Sequence, residues 1–378
     1  MYTIANGIVL KGDNIHPVHE NIVVEDGVIV EIAKDVLKGE IIDAEGSIVC
    51  PTFLNAHTHI GDSIIKDEGY GLTIDEMVKP PNGVKHKALS KASDMDIIDS
   101  MKVSMWDMVS SGTSHFIDYR EGGVKGVKLL KKAAEDIPIT PIILGRDDSF
   151  YGDDPDLHKV KIAINKLLKV ADGIAPSGFG EITDEVAHLI VEKCRKKSKI
   201  ASIHTAESKE AQLNSINKTE RTEIKRASDS NFAQIVHCTN PMDYDLELLS
   251  KSNVNVVLCP RANATLGVGI SPLNEIINLG IKPLIGSDNV MLNSPNMLRE
   301  MEFSLKLMSV YSDTILNPKD LLKCATVNVC SSDINEIIKK PLIAENNPAQ
   351  FFMVKQFSKN PYLSIINRTE TKDIIYTY

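Results

Sequence analysis

Between residues 51 and 288 the chain carries eight short runs rich in Val, Ile and Leu: PTFLNAH, TSHFIDY, ITPIILG, DGIAPSG, IASIHT, AQIVHC, VNVVLC and IKPLIGSD. This spacing constrains the fold more than any other feature of the sequence. Each run is a few residues long, as expected of a strand covered on both faces. Between several of them lie stretches with apolar residues at helical spacing, such as DMDIIDSMKVSMWDMVSSG (residues 94–112) and TDEVAHLIVEKCRKK (183–197), which end in glycine or basic residues. Strands alternating with helices over about 280 residues predict an α/β chain built as a (β/α)8 TIM barrel.

Both ends of the chain depart from this pattern. Residues 1–50 read as short strands, and Asp26-Gly27 between two Val/Ile-rich runs predicts a tight hairpin, because glycine supplies the positive φ of the turn. AQFFMVKQF and KDIIYTY are strand-like again near the other end. The expectation is a barrel over residues 51–338 and a small β-sandwich-like module built from residues 1–50 and 339–378.

In such a barrel the C-terminal ends of the strands converge on one mouth, where chemistry is found. His57 and His59 end the first run, His204 the fifth, His237 the sixth and Asp288 the eighth. Residues i and i+2 of a strand share a face, so His57 and His59 can turn towards one ion. Each residue also has an ordinary reading: a histidine hydrogen-bonded in the core or rim, or an aspartate capping the next helix. Their joint placement at four strand ends outweighs those readings. Imidazoles plus one carboxylate, without thiolates, suit one divalent metal in a catalytic site: zinc first, with iron or manganese as alternatives. His16, His19, His86, His158 and His188 end no strand and read as surface or loop residues, and His115, inside TSHFIDY, reads as a core residue.

Composition narrows the partners. A formal net charge of -9 with no basic run interleaved with aromatics argues against nucleic acid and for a small-molecule substrate. No segment has the basic start and apolar stretch of a signal peptide or the length of a membrane span, so the expected location is the cytoplasm. The scattered cysteines (Cys50, Cys194, Cys238, Cys259, Cys324, Cys330) form no Cys-x-x-Cys pair and read as small buried hydrophobes.

The stretches PTFLNAHTH, GTSHFIDYRE, IHTAES, IVHCT, CPRANATLGVGISPLNEIINLGIKPLIGSDNVMLNSPNM and LLKCATVNVC resemble, in order and spacing, the amidohydrolase superfamily. The likeness is closest to its cytosine deaminase, S-adenosylhomocysteine deaminase and chlorohydrolase branch, and it covers nearly the whole chain. It implies one metal held by His57, His59, His204 and Asp288, with His237 beside the attacking water. Some branches bridge two metals with a strand-four lysine, but GIAPSGF has none. Glu207, in HTAES, matches the proton-shuttling glutamate of the family's deaminases; its bland alternative is an exposed residue in the first turn of a helix.

The resemblance therefore implies a metal-dependent aminohydrolase that releases ammonia from a pterin, pyrimidine or purine derivative. In that reading Asp288 takes the proton of the attacking water, His237 hydrogen-bonds the incoming oxygen and stabilises the tetrahedral intermediate, and Glu207 delivers a proton to the ring nitrogen. A cyclic amidohydrolase or a chlorohydrolase with the same site is the alternative, followed by a non-catalytic ligand-binding barrel. The sequence departs from the nucleoside deaminases at Ala175-Pro176-Ser177-Gly178-Phe179, where a Pro-His pair is usual. The stretch GDSIIKDEGYGLTIDEMVKPPNGVKHK reads as a long loop over the mouth that selects substrate. Arg146 and Arg261 follow strands three and seven and are candidates for binding substrate, with a surface salt bridge as the rival role. A homodimer is compatible with the resemblance.

Overall fold

The computed structural model describes residues 1–73, 76–77, 82–242, 244–329 and 341–376. Seven short strands come first: β1 (Tyr2–Ala5), β2 (Ile8–Lys11), β3 (His16–Val18), β4 (Asn21–Glu25), β5 (Val28–Ala33), β6 (Glu40–Asp43) and β7 (Ser47–Pro51). The hairpin between β4 and β5 turns on Asp26 and Gly27, both at positive φ (48° and 76°), as their sequence predicts.

The eight apolar runs then form one parallel sheet: β8 (Phe53–His59), β9 (Thr113–Arg120), β10 (Thr140–Gly145), β11 (Gly173–Ile174), β12 (Ile200–Thr205), β13 (Gln234–His237), β14 (Asn255–Leu258), β15 (Leu284–Ile285) and β16 (Asp288–Asn289). The last two are halves of the eighth run. β15 pairs with β14 and β16 pairs with β8, so the nine-stranded sheet curls until both its edges lie on one segment of chain. At the break, Asn55 replaces the missing ladder bonds: its Oδ1 accepts from Ser287 N at 2.9 Å and its Nδ2 donates to Ser287 Oγ at 2.8 Å. Gly286 permits the approach, since a Cβ there would lie 2.6 Å from His57 N.

Alternation along the strands sorts the core into two layers. Leu54, Ala56, Ile117, Tyr119, Leu144, Val236, Val257 and Leu284 meet one another inside the curl. Phe53, Phe116 and Ile143 face the surrounding helices, where Met105, Leu130 and Ile164 cover them. Residues from both chain ends share a separate core. β17 (Phe351–Lys355) and β18 (Ile374–Tyr376) join β7, β2 and β3 in a five-stranded sheet, beside a four-stranded sheet of β5, β4, β1 and β6. Ile4, Ile22 and Ile29 from the smaller sheet meet Val9, Val49, Phe351 and Met353 from the larger.

A helix over Pro361–Arg368 separates β17 from β18, where the sequence suggested only strands. Asn360 caps it, Pro361 starts it, and its buried Ile365 and Ile366 turn it against the helices Met297–Tyr311 and Pro318–Cys324. Cys50, Cys194, Cys238, Cys259 and Cys324 are free and buried, and Cys330 lies outside the described residues. Among the described residues no helix is long and apolar enough to cross a membrane.

Candidate active site

β8, β12, β13 and β16 bring His57, His59, His204, His237 and Asp288 to one end of the curled sheet. Two triads, His57–His59–His204 and His57–His237–Asp288, each have their possible ligand atoms within 4.8 Å of one another. His57 Nε2 lies 3.1 Å and His59 Nε2 3.6 Å from Asp288 Oδ1. The rings of His59 and His204 stack 5.5 Å apart, and those of His204 and His237 lie 5.3 Å apart. Both halves of the site are strained: Asp288 sits at φ 61° and His237 at φ 79°, in the left-handed region that side chains disfavour.

Tautomers follow from the neighbours. His59 Nδ1 donates to Tyr119 O at 3.2 Å and His204 Nδ1 to Ser177 O at 3.3 Å, which turns both Nε2 lone pairs inward. His237 Nδ1 donates to Asn263 Oδ1 at 3.0 Å, because the Asn263 amide nitrogen is engaged by Thr239 and Ser271. His57 Nδ1, by contrast, is buried without a partner among the described residues. Burial holds the His57 and His204 imidazoles below their ordinary value, and burial together with the charge of Lys85 lowers His59 to about 3. Burial alone would raise the Asp288 carboxyl, but the hydrogen bond with His57 and the neighbouring His237 and His59 keep it well below the usual carboxylate range. The imidazoles of His57, His59 and His204, kept unprotonated by burial around an ionised carboxylate, with an orphaned buried nitrogen on His57, fit a divalent cation as their missing partner.

Glu207 faces the same cavity, of about 460 Å³, with Oε2 3.6 Å from His237 Nε2. Burial raises its carboxyl above the ordinary glutamate range. Arg146 lines the cavity too, donating to Ser177 Oγ at 3.2 Å and to Glu121. The structure does not bring Arg261 there: it donates to Glu300 Oε1 at 3.2 Å and Ser294 O at 3.1 Å, and it is absent from the cavity lining. His115 is buried in β9 beside Ser114, whose Oγ lies 2.8 Å from its Nδ1, and burial lowers it to about 4.

Four lining or adjoining residues were not singled out by sequence. His86, expected at the surface or in a loop, lines the cavity with its neighbour Lys85, because the stretch after the histidine pair folds back as a helix over Val84–Lys91. His16, His19, His158 and His188 are exposed as expected. Lys85 Nζ is buried against Glu121 Oε1 at 2.6 Å and Asp62 Oδ2 at 3.4 Å. Burial would raise Glu121, but Lys85, Arg146 and Arg120 hold it well below its ordinary range. It directly follows β9 in DYRE, so the strand-end criterion extended to glutamate would have found it. Glu223, the fourth, opens the helix Glu223–Ser230 and left no strand-end signal.

Comparison with known proteins agrees with this geometry. The model of the amidohydrolase family matches residues 48–378. A provisionally named aminohydrolase of Methanothermobacter thermautotrophicus is 44% identical over 377 residues, covering 100% of this chain and 97% of its own. A 5-methylthioadenosine/S-adenosylhomocysteine deaminase of Thermococcus sibiricus is 25% identical over 86% of this chain and 79% of its own. Atrazine chlorohydrolase from Arthrobacter aurescens TC1, in a zinc complex, superimposes with a TM-score of 0.84 at 15% identity, over 97% of this chain and 91% of its own. With a family match over residues 48–378 that spans the strand-end imidazoles and the carboxylate brought together here, the chain belongs to the amidohydrolase family.

Proposed function

We propose that the chain is a metal-dependent deaminase that releases ammonia from an amino-substituted heterocycle of the pterin, pyrimidine or purine type. The observation that carries this reading is Glu207, poised 3.6 Å from His237 on the cavity that the histidine–aspartate cluster closes. Loss of ammonia from an amidine carbon needs a proton on the ring nitrogen and then one on the amine. A carboxyl raised by burial holds such a proton closer to neutral pH.

His57, His59, His204 and Asp288 would hold one divalent ion, zinc before iron or manganese, which when bound supplies a Lewis acid that eases deprotonation of water. Asp288, kept ionised, takes the proton of the attacking water. His237 is fixed by Asn263 with Nε2 towards the incoming oxygen, and its hydrogen bond to that oxygen stabilises the tetrahedral adduct. Glu207 protonates the ring nitrogen, the proton held by Asp288 passes to the departing amine, and the hydroxyl proton of the collapsing adduct returns to Glu207. Arg146 is the cation on the cavity wall suited to a substrate carbonyl or acidic group.

In the same reading the curled sheet and its helices form a (β/α)8 barrel over residues 51–338. The two small sheets form one β-sandwich-like module from residues 1–50 and 339–378, and the protein works in the cytoplasm. The relatives named as deaminases support the reaction class. A carbon–halogen bond as target has the likeness of fold behind it.

The test is an ammonia-release screen of metal-loaded protein against aminopurines, aminopyrimidines, pterins and their nucleosides. Release from at least one member is expected. Silence across the panel, with about one equivalent of metal bound as a single site requires, would overturn the deaminase reading.

A further inference from the structure

β12 leads to the helix Lys209–Thr219 through Ala206, whose φ of 52° lies in the left-handed region that a Cβ disfavours. The next residue is Glu207, so the direction of its carboxyl depends on how firmly this turn is held. Hydrogen bonds hold it from several sides. Ala206 N donates to Glu223 Oε2 at 2.8 Å, and Ala206 O accepts from Thr239 N at 3.0 Å and Asn240 N at 2.9 Å. Glu207 O accepts from Asn240 Nδ2 at 2.8 Å. Glu223 is fixed in turn: its N–H donates to Gln212 Oε1 at 2.8 Å, and the Gln212 amide donates to Asn240 O at 3.0 Å and Asp245 Oδ2 at 3.1 Å.

Glu223 is only 4% exposed and lies in the cavity wall, yet among the described residues its carboxylate accepts a single hydrogen bond, the one from Ala206. With only that hydrogen bond and the charge of Arg226 beyond ion-pair distance to offset it, burial of this carboxyl costs free energy. An apolar residue would fill the wall without that cost. We propose that Glu223 is a positioning residue for Glu207: its carboxyl fixes the strained Ala206 turn and keeps the Glu207 carboxyl in reach of His237 and of the substrate's ring nitrogen. The inference rests on the deaminase reading, since it gives Glu223 a role only through the proton that Glu207 carries.

The test is steady-state ammonia release and metal content for the wild type, E223A, E223Q and N240A, with E223A and N240A repeated in an E207D background whose residual turnover can be followed. Because misplacing a reacting group by about 1 Å costs roughly 10²-fold, E223A is expected to lose about that factor in kcat. KM and bound metal should change little. E223Q, whose amide oxygen can accept the same hydrogen bond, should recover most of the loss. In E207D the further loss from E223A should shrink to a few-fold, because the two residues act in series.

An E223A protein with bound metal and wild-type kcat, a loss confined to KM, or a full additive loss in E207D would each overturn the proposal. If E223A does not fold, N240A removes the donor to Glu207 O while leaving Glu223 in place, and the same pattern is required of it. Undiminished turnover of E207D itself would contradict the deaminase reading instead.

Discussion

An acceptor on one nitrogen of a buried imidazole fixes the tautomer that turns the other nitrogen's lone pair to an ion, and here carbonyls or an amide do so in His59, His204 and His237. Removing one such partner tests the arrangement without touching a ligand. Asn263→Ala should lower kcat by about 10- to 100-fold, the usual cost of losing an outer-shell partner, while bound metal is retained. Steady-state kinetics with metal analysis checks this. A second residue-scale expectation concerns Glu300, which burial raises to about 7 despite Arg261 beside it. The folded chain then holds this proton more tightly than the unfolded chain. Its contribution to stability is therefore full below the ordinary glutamate range and is lost as pH rises towards about 7. In Glu300→Gln, which is neutral throughout, Tm should fall less than in the wild type between about pH 5 and pH 7, and the two profiles should run parallel above that. Parallel profiles across the whole range would refute the shift. The metal-site histidines and Asp288 were legible because they end strands. Lys85, His86 and Glu223 were not, since each reaches the cavity from a helix whose docking depends on distant contacts.

At the scale of elements, the eighth run shows how much one glycine decides. Split at Gly286 and Ser287, it pairs one way through Leu284–Ile285 and the other way through Asp288–Asn289, and Asn55 bridges the gap. Gly286→Ala would press a methyl against His57 N and O, at 2.6 and 2.8 Å. Relieving this means moving β16 and Asp288 away from β8. The substitution should cost about 2–4 kcal/mol in denaturant unfolding and lower bound metal together with stability. Unchanged metal content would show that the approach at Gly286 does not set the site. All eight runs were legible from apolar patterning, even β11, which pairs over only Gly173–Ile174 before Pro176. The helix Pro361–Arg368 was missed because it is short and its apolar residues, PYLSII, read as well in either period. Its cap at Asn360 and Pro361 carried the signal.

For the whole molecule, the metal would join three strands that are far apart in sequence, so ligand removal is expected to act on stability as well as on chemistry. Chelation should lower Tm, and restoring zinc, iron or manganese should raise it. An unchanged Tm would mean that the cluster binds no ion in the folded protein. Fold class followed from sequence because alternating strands and helices leave few architectures. The cavity's outer wall did not, since the stretch after His59 and the helices beyond β12 build it from polar residues without a periodic signature. The proposed deamination turns on Glu207 as the carrier of the proton. The most direct measurement compares ammonia release by E207Q and the wild type at equal bound metal. E207Q is expected to keep its metal and lose at least about 10²-fold in kcat, the contribution of a positioned acid–base group. Near-normal turnover of metal-loaded E207Q would contradict it.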